Sequence, residues 1–234
     1  MIHGIPAVDI IAFAAFIALW VGYTLAADHY TARGRSLSAV MGRHRLVWMR
    51  SLCDRDNRVA DTAIIGNLMR SVAFFASASL LVVGGLAALM GSAERGYEVY
   101  RGMPFAGDGG IAAFEMKVVL LACVFVYTFF QITWSLRQFN YCCILMGSAP
   151  MPGASPGDKE AFARHAARLQ ALAANSFNRG LRAYYFALAM LGWFVNTWVF
   201  VVAAAAVAAV LFRREFRSKT MKSLSAILDE EAAP

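Results

Sequence analysis

The charged residues of this chain avoid four long stretches. These apolar windows, each free of Lys, Arg, Asp and Glu, cover residues 10–27, 71–93, 118–136 and 183–212. A bilayer core about 30 Å thick needs roughly 20 apolar residues per helix, and every window approaches or exceeds that length. The pattern predicts an all-α, polytopic membrane protein with four transmembrane helices in a bundle, forming a single membrane domain over residues 1–234.

The composition agrees with this class. Hydrophobic residues make up 59% of the chain and charged residues 16%, and the mean hydropathy is +0.54, whereas a soluble domain is nearer one-quarter charged. The spacing of the four cysteines does not form a disulfide framework. The net charge of +7 comes from basic residues beside the windows, which favours membrane lipids over nucleic acid as partners.

The distribution of Lys and Arg predicts the orientation. Residues 1–9 contain none, 28–70 contain eight, 94–117 three, 137–182 six and 213–234 five. The positive-inside rule therefore places the N-terminus outside and the segments 28–70 and 137–182 in the cytoplasm. Since residues 1–9 lack the basic start of a signal peptide, the first window is expected to remain as an uncut span. The basic tail opposes this scheme, because four spans put it outside.

Both cytoplasmic segments are predicted to contain helices. Ser36 is a good N-cap before an apolar stripe that begins at Leu37, a pattern typical of a basic amphipathic helix. This helix either lies in the headgroup region or packs in a small cytoplasmic cap. In the second segment, Ser155 as N-cap and Pro156 at the first position start a helix that is expected to continue into the fourth window.

Several polar and aromatic motifs give the chain a resemblance to a known family. The motifs are Arg50, residues 54–58 with Asp61, and residues 74–77, 134–141, 177–186 and 212–216. Over nearly the whole chain they resemble those of a bacterial family of integral membrane proteins, the domain of unknown function DUF599. The resemblance implies a four-span protein of the bacterial inner (plasma) membrane and implies no chemistry.

The supply of metal ligands is poor. None of the four histidines lies in an apolar window, so axial ligation of a haem between spans is not predicted. The cysteines, among them the adjacent Cys142 and Cys143, fit free apolar packing better than a metal centre. The sequence therefore predicts no cofactor, no metal site and no catalytic residue, which weighs against an enzyme.

An acidic cluster lies in the first cytoplasmic segment, where Asp54, Asp56 and Asp61 alternate with arginines at positions 50, 55 and 58. Neighbouring arginines hold such carboxylates ionised. The cluster therefore favours a salt-bridged turn between two helices over divalent-cation binding or acid–base catalysis.

Two polar stripes are the most informative pattern for function. On the third span and on the fourth helix, polar residues recur at intervals of three and four, which places each set on one helical face. Because polar groups facing lipid are costly, the two faces are predicted to meet in a polar seam. The seam and the basic vestibule at its inner end comprise Gln131, Ser135, Arg137, Gln138, Asn140, Asn178, Arg182, Tyr185 and Asn196.

Two interpretations of the polar seam remain open. Its residues either hydrogen-bond the helices together, each bond contributing on the order of 0.6 kcal/mol, or line a solvated path that attracts anions through Arg137 and Arg182. The corresponding function is an oligomeric channel, a carrier or an anion-preferring small-solute binding protein. The alternative is a non-catalytic accessory or scaffold subunit that docks a partner membrane protein or lipid. A ridge of small residues on the first span is compatible with a homo-oligomer.

Overall fold

The described elements of the protein are all helices. The structure is a computed structural model, and it describes residues 6–104 and 110–231. In chain order the helices are α1 Ala7–Ala32, α2 Leu37–Cys53, α3 Val59–Gly91, α4 Ala93–Arg101, α5 Gly110–Gly147, α6 Pro156–Met190, α7 Gly192–Val195, α8 Thr197–Phe216 and α9 Lys219–Glu231. The predicted all-α class is confirmed.

Three of the described helices are long and apolar enough to cross a membrane. They are α1, α3 and α5, with 26, 33 and 38 residues. The first three apolar windows fall on these helices, because long runs without charge or proline favour helices whose backbone groups bond internally. The chain is therefore a multi-pass helical membrane protein, as the sequence predicts.

The predicted helix starts are also confirmed. The hydroxyl of Ser36 accepts the backbone N–H of Ala39 at 3.1 Å at the start of α2. Ser155 does the same for Asp158 at 3.2 Å, and α6 begins at Pro156. In both cases a side-chain oxygen satisfies an amide that has no partner within the helix.

The fourth window differs from the predicted single helix. Helix α6 continues into it as expected but ends at Met190, and α8 starts only at Thr197. Between them, Gly192 lies so close to Phe200 that an added Cβ would be 3.3 Å from the Phe200 backbone. Asn196 is extended, and its side-chain oxygen accepts the Trp198 N–H at 2.8 Å. The fourth window is therefore divided by Gly192, which permits the close approach of Phe200, and by Asn196, whose side chain caps α8.

The division of the fourth window makes the chain turn back. Both Asn178, before the break, and Glu215, after it, hydrogen-bond to Ser38, each at 3.1 Å. At 1.5 Å per residue, an uninterrupted helix would separate these two residues by about 55 Å. The basic residues that follow α8 thus return to the part of the protein that contains α2.

The chain divides into two compact units. Unit 1 contains residues 6–26, 76–104, 110–130 and 180–212 among those described. Its core is rich in aromatic side chains, such as Phe16, Phe186 and Phe200, with Trp193 stacked on Phe200 at 4.9 Å between ring centroids. Unit 1 contains four of the 22 basic residues, which are Arg95, Arg101, Lys117 and Arg182.

Unit 2 contains residues 27–75, 131–179 and 213–231 among those described, and with them the other 18 basic residues. Its core includes Met49, Leu52 and Ile65. The C-terminal α9 packs against α2, where a ring nitrogen of His44 lies 3.0 Å from the carbonyl oxygen of Leu224.

The acidic cluster forms the salt-bridged turn that the sequence predicts, between α2 and α3. Asp61 is fully buried and accepts hydrogen bonds from the Trp48 indole and the Arg55 guanidinium, both at 2.6 Å. Asp54 pairs with Lys159 at 2.7 Å. The cluster therefore joins helices, and two of its three carboxylates, those of Asp54 and Asp61, pair with cations of the same chain.

Candidate functional site

One face of α2 forms the wall of a cavity in unit 2. Ser38, Met41 and Arg45 follow one another at three and four residues, so they share this face. The cavity has a volume of about 250 Å³, and residues of α3, α5, α6 and α8 complete it.

The lining combines polar and apolar groups. The polar residues are Ser38, Arg45, Ser71, Gln170, Asn175, Asn178 and Glu215. The apolar residues are Leu37, Met41, Leu68, Val72, Phe139, Ala174 and Phe177. A mostly apolar pocket with a few convergent polar groups is the usual arrangement of a small-molecule site.

Arg45 is the most unusual group in this cavity. It is half-buried, and burial lowers the pKa of its guanidinium from the ordinary value. Arginine nevertheless stays protonated in proteins. Within residues 6–104 and 110–231, no hydrogen bond or ion pair engages the Arg45 side chain. A partly desolvated positive charge without a counter-charge favours an anion from outside the chain.

Glu215 is fixed at the other end of this face of α2. Its carboxylate accepts the Ser38 N–H at 3.1 Å, next to the positive end of the α2 dipole. The Asn178 amide donates to the Ser38 hydroxyl at 3.1 Å, so α2, α6 and α8 meet at this point. These two hydrogen bonds hold Ser38, Asn178 and Glu215 in place on the cavity wall.

The buried part of the polar seam serves as interhelical bonding. The Ser135 hydroxyl donates to the Ala173 carbonyl at 2.7 Å, and Ser176 donates to the Gln138 side-chain oxygen at 2.9 Å. All these groups are buried between α5 and α6. The α5 stripe thus bonds to α6 here, but through Ala173 and Ser176, which are not among the nine predicted seam residues.

The other seam residues of unit 2 lie elsewhere. Arg137 and Asn140 are exposed, and Arg137 bonds to Tyr141 of its own helix at 2.7 Å. Gln131 is half-buried. Only Asn178, of the nine predicted seam residues, lines the cavity. Arg137 is therefore not among the residues that line the cavity with Asn178.

The remaining seam residues, Arg182, Tyr185 and Asn196, belong to unit 1. Arg182 is buried, with its guanidinium carbon 5.8 Å from the centroid of the Tyr23 ring. Tyr185 is half-buried. Asn196 is exposed and caps α8, so its apparent place in the stripe reflects a helix break rather than a helical face.

Neither charged residue of the cavity, Arg45 or Glu215, is among the predicted site residues. Arg45 continues the apolar stripe of Leu37 and Met41 at four-residue spacing, which is a signal for an inward-facing cation. Glu215 is the single acid within the basic run 213–217. Only the return of α8 brings this acid to α2, and that return depends on the break at residues 191–196.

A second buried polar cluster lies in unit 1. Asp9 and Lys117 pair at 3.3 Å, and both are more than 90% buried. Asp9 also accepts hydrogen bonds from Trp193 and Thr197, and Lys117 donates to the Trp193 carbonyl at 3.1 Å. Every charge in this cluster has a partner, so the cluster fixes the turn between α6 and α8.

The apolar helices and the basic unit 2 together define a multi-pass helical membrane protein with a small polar cavity. The sequence matches the family described as "Protein of unknown function, DUF599" over residues 11–220. The chain therefore belongs to the DUF599 family, and the resemblance in its motifs is confirmed. Neither a curated protein nor a solved structure matches the chain.

Proposed function

We propose that this membrane protein binds a small organic anion in the cavity of unit 2. The observation that carries the proposal is Arg45, a half-buried guanidinium that faces the cavity without an acidic partner among the described residues. A planar guanidinium binds carboxylate or phosphate through two parallel hydrogen bonds. Asn175, whose amide makes no hydrogen bond within the described chain, supplies further donors from α6.

The size of the cavity limits the ligand. Sites for drug-sized molecules measure about 300–1,000 Å³, whereas this cavity measures about 250 Å³. A compact solute fits better than a nucleotide. The apolar side chains of Met41, Val72 and Phe139 favour a solute with a short hydrocarbon part.

The geometry favours binding over conduction along the polar seam. Ser135 and Gln138 are buried and satisfied by α6, so they act as interhelical bonds. A water-filled path needs polar groups that remain available to a permeating ion. An anion channel through the seam therefore has less support than a binding pocket.

The test compares ligand binding by two arginine variants. Purified wild-type protein in mild detergent is titrated calorimetrically with pentanoate and with ethyl phosphate. We expect saturable binding that Arg45→Gln abolishes. The matched control is Arg43→Gln, which removes an exposed arginine from the same helix and should leave binding intact. Binding that survives Arg45→Gln, or no binding of either anion, contradicts the proposal.

We further propose that the chain crosses the membrane five times, with the N-terminus outside and the C-terminus in the cytoplasm. The crossings are α1, α3, α5, the second half of α6, and α8. The turn at residues 191–196 supports this odd number, in place of the predicted four. Only Arg95, Arg101 and Lys117, of the 22 basic residues, then lie outside, in agreement with the positive-inside rule.

A second candidate function is docking to anionic lipid. It is favoured by the exposed basic residues that follow the apolar part of α8, namely Arg213, Arg214, Lys219 and Lys222. Such juxtamembrane clusters attract anionic headgroups by about 1 kcal/mol per basic residue. Native mass measurement of the purified protein should then detect retained anionic lipid, which the double variant Arg213→Gln, Arg214→Gln should lose.

A further inference from the structure

The cavity of unit 2 contains a fixed negative charge as well as a fixed positive one. Arg45 and Glu215 both line it. In the described part of the chain, no ion pair joins these two residues or engages either of them. A simple anion would compensate Arg45 but would leave the carboxylate of Glu215 without a counter-charge.

Arg45 and Glu215 reach the cavity from different positions along α2. Glu215 is held at Ser38 by the 3.1 Å hydrogen bond from the Ser38 backbone. Arg45 follows Ser38 by seven residues, which is two turns of α2, or about 10.5 Å along the helix axis. The long arginine side chain leans back toward the start of the helix and shortens this separation. A single ligand that carries two charged ends can therefore contact both residues.

We infer that the ligand is a small zwitterion, with a carboxylate or phosphate that pairs with Arg45 and an ammonium group that pairs with Glu215. The inference rests on the proposed anion site and adds the second charge of the ligand. The hydrocarbon link between the two charged groups contacts the apolar lining at Met41 and Val72. Both charges of the cavity are then compensated by one molecule.

Two matched pairs of probes test the inference. Pentanoate is compared with 5-aminopentanoate, and ethyl phosphate with phosphoethanolamine, so that the members of each pair differ by an ammonium group. The proteins are the wild type, Arg45→Gln and Glu215→Gln. The last variant removes the charge but keeps an oxygen that can accept the Ser38 N–H, so α2 retains its hydrogen bond.

We expect the wild type to bind the zwitterion of at least one pair about tenfold more tightly than its anion, as a charge-assisted hydrogen bond implies. The more responsive pair also identifies the anionic group as carboxylate or phosphate. Glu215→Gln should abolish the preference and leave the anion bound. A thermal midpoint equal to that of the wild type verifies the fold of this variant.

Two other results separate the inference from the proposed function. If the wild type binds anion and zwitterion equally and Arg45→Gln loses both, the anion site stands and the zwitterion inference is overturned. If no probe binds, or if Arg45→Gln leaves binding unchanged, both are overturned. A preference for the zwitterion that persists in Glu215→Gln also contradicts the inference, because the ammonium group then has another partner.

Discussion

The Asp9 carboxylate and the Lys117 ammonium, from α1 and α5, lie 3.3 Å apart within the buried part of unit 1. Trp193 contacts both, donating its indole N–H to Asp9 at 3.0 Å and accepting from Lys117 at its backbone carbonyl. The ion pair therefore also fixes the turn that divides the fourth apolar window. A stability role for this cluster leads to the first prediction.

Replacing Lys117 with Met should destabilise the protein by about 3–5 kcal/mol, because the Asp9 carboxylate would remain buried without its cation. The measurement is the thermal unfolding midpoint in mild detergent. The double variant Asp9→Leu, Lys117→Met should be more stable than the single variant, since it removes both buried charges. Glu94→Gln is the control, because Glu94 is exposed in the same unit. A single variant as stable as this control contradicts the proposed role.

The sequence is sufficient to predict the three helices that are long and apolar enough to cross a membrane, and the N-caps that start α2 and α6. The signals were local: runs without charge for α1, α3 and α5, and Ser36 and Ser155 as N-caps. The break in the fourth window was not predicted, because Gly192 and Asn196 are both tolerated within transmembrane helices. These two residues break the helix only because Phe200 packs against Gly192 and because Asn196 caps α8. Neither contact leaves a periodic pattern in the sequence.

The tightness of that turn gives the second prediction. Gly192→Ala should destabilise the protein by about 1–3 kcal/mol, because the new methyl group would lie 3.2 Å from Val199 and 3.3 Å from the Phe200 backbone. The matched control is Gly84→Ala in α3, where an added Cβ meets nothing within 4 Å. Thermal unfolding of the two variants checks the difference. Equal midpoints for the two variants contradict a tight turn at Gly192.

The charged residues of the cavity explain why the site was harder to predict than the fold. The regular polar stripe on α5 predicts a site at Ser135 and Gln138, but both residues hydrogen-bond α5 to α6. Arg45 is one of the eight basic residues in segment 28–70, and the positive-inside rule accounts for all of them without a site. Its half-buried position and the absence of an ion pair to it in the described chain follow only from the packing of neighbouring helices.

The Arg50–Glu160 ion pair predicts a pH dependence of stability. Two hydrogen bonds from Arg50, each of 2.8 Å, lower the pKa of Glu160 from its ordinary value of 4.5. Since the pKa is lower in the folded protein, the pair stabilises the fold above pH 4.5, and this contribution is lost as the pH falls through the lowered value. The thermal midpoints of the wild type and Glu160→Gln should therefore differ at neutral pH and converge in acid.

The control for this prediction is Asp56→Asn, since Asp56 is exposed and belongs to the turn after α2. The thermal midpoint of Asp56→Asn should differ little from that of the wild type at neutral pH, because no ion pair engages Asp56 within the described chain. Both Arg50 and Glu160 are partly exposed, so salt should weaken the contribution of their pair. If the difference in thermal midpoint between the wild type and Glu160→Gln grows as the pH falls, the Arg50–Glu160 pair is not the source of the pH dependence.

The reversal between α6 and α8 gives the last prediction, on topology. If the fourth window is a helical hairpin, a reporter fused to the C-terminus should be cytoplasmic: green fluorescent protein should fluoresce and alkaline phosphatase should be inactive. If the window is one span, the same reporters should give the opposite result, because four crossings place the two termini on the same side. The turn that contains Asn57 is predicted to be cytoplasmic in both schemes, so a fusion after Asn57 is the cytoplasmic reference. With five crossings, a fusion after Ser223 should behave like this reference. An active phosphatase at the C-terminus, with an inactive one after Asn57, contradicts the five-crossing topology and restores the four-span scheme.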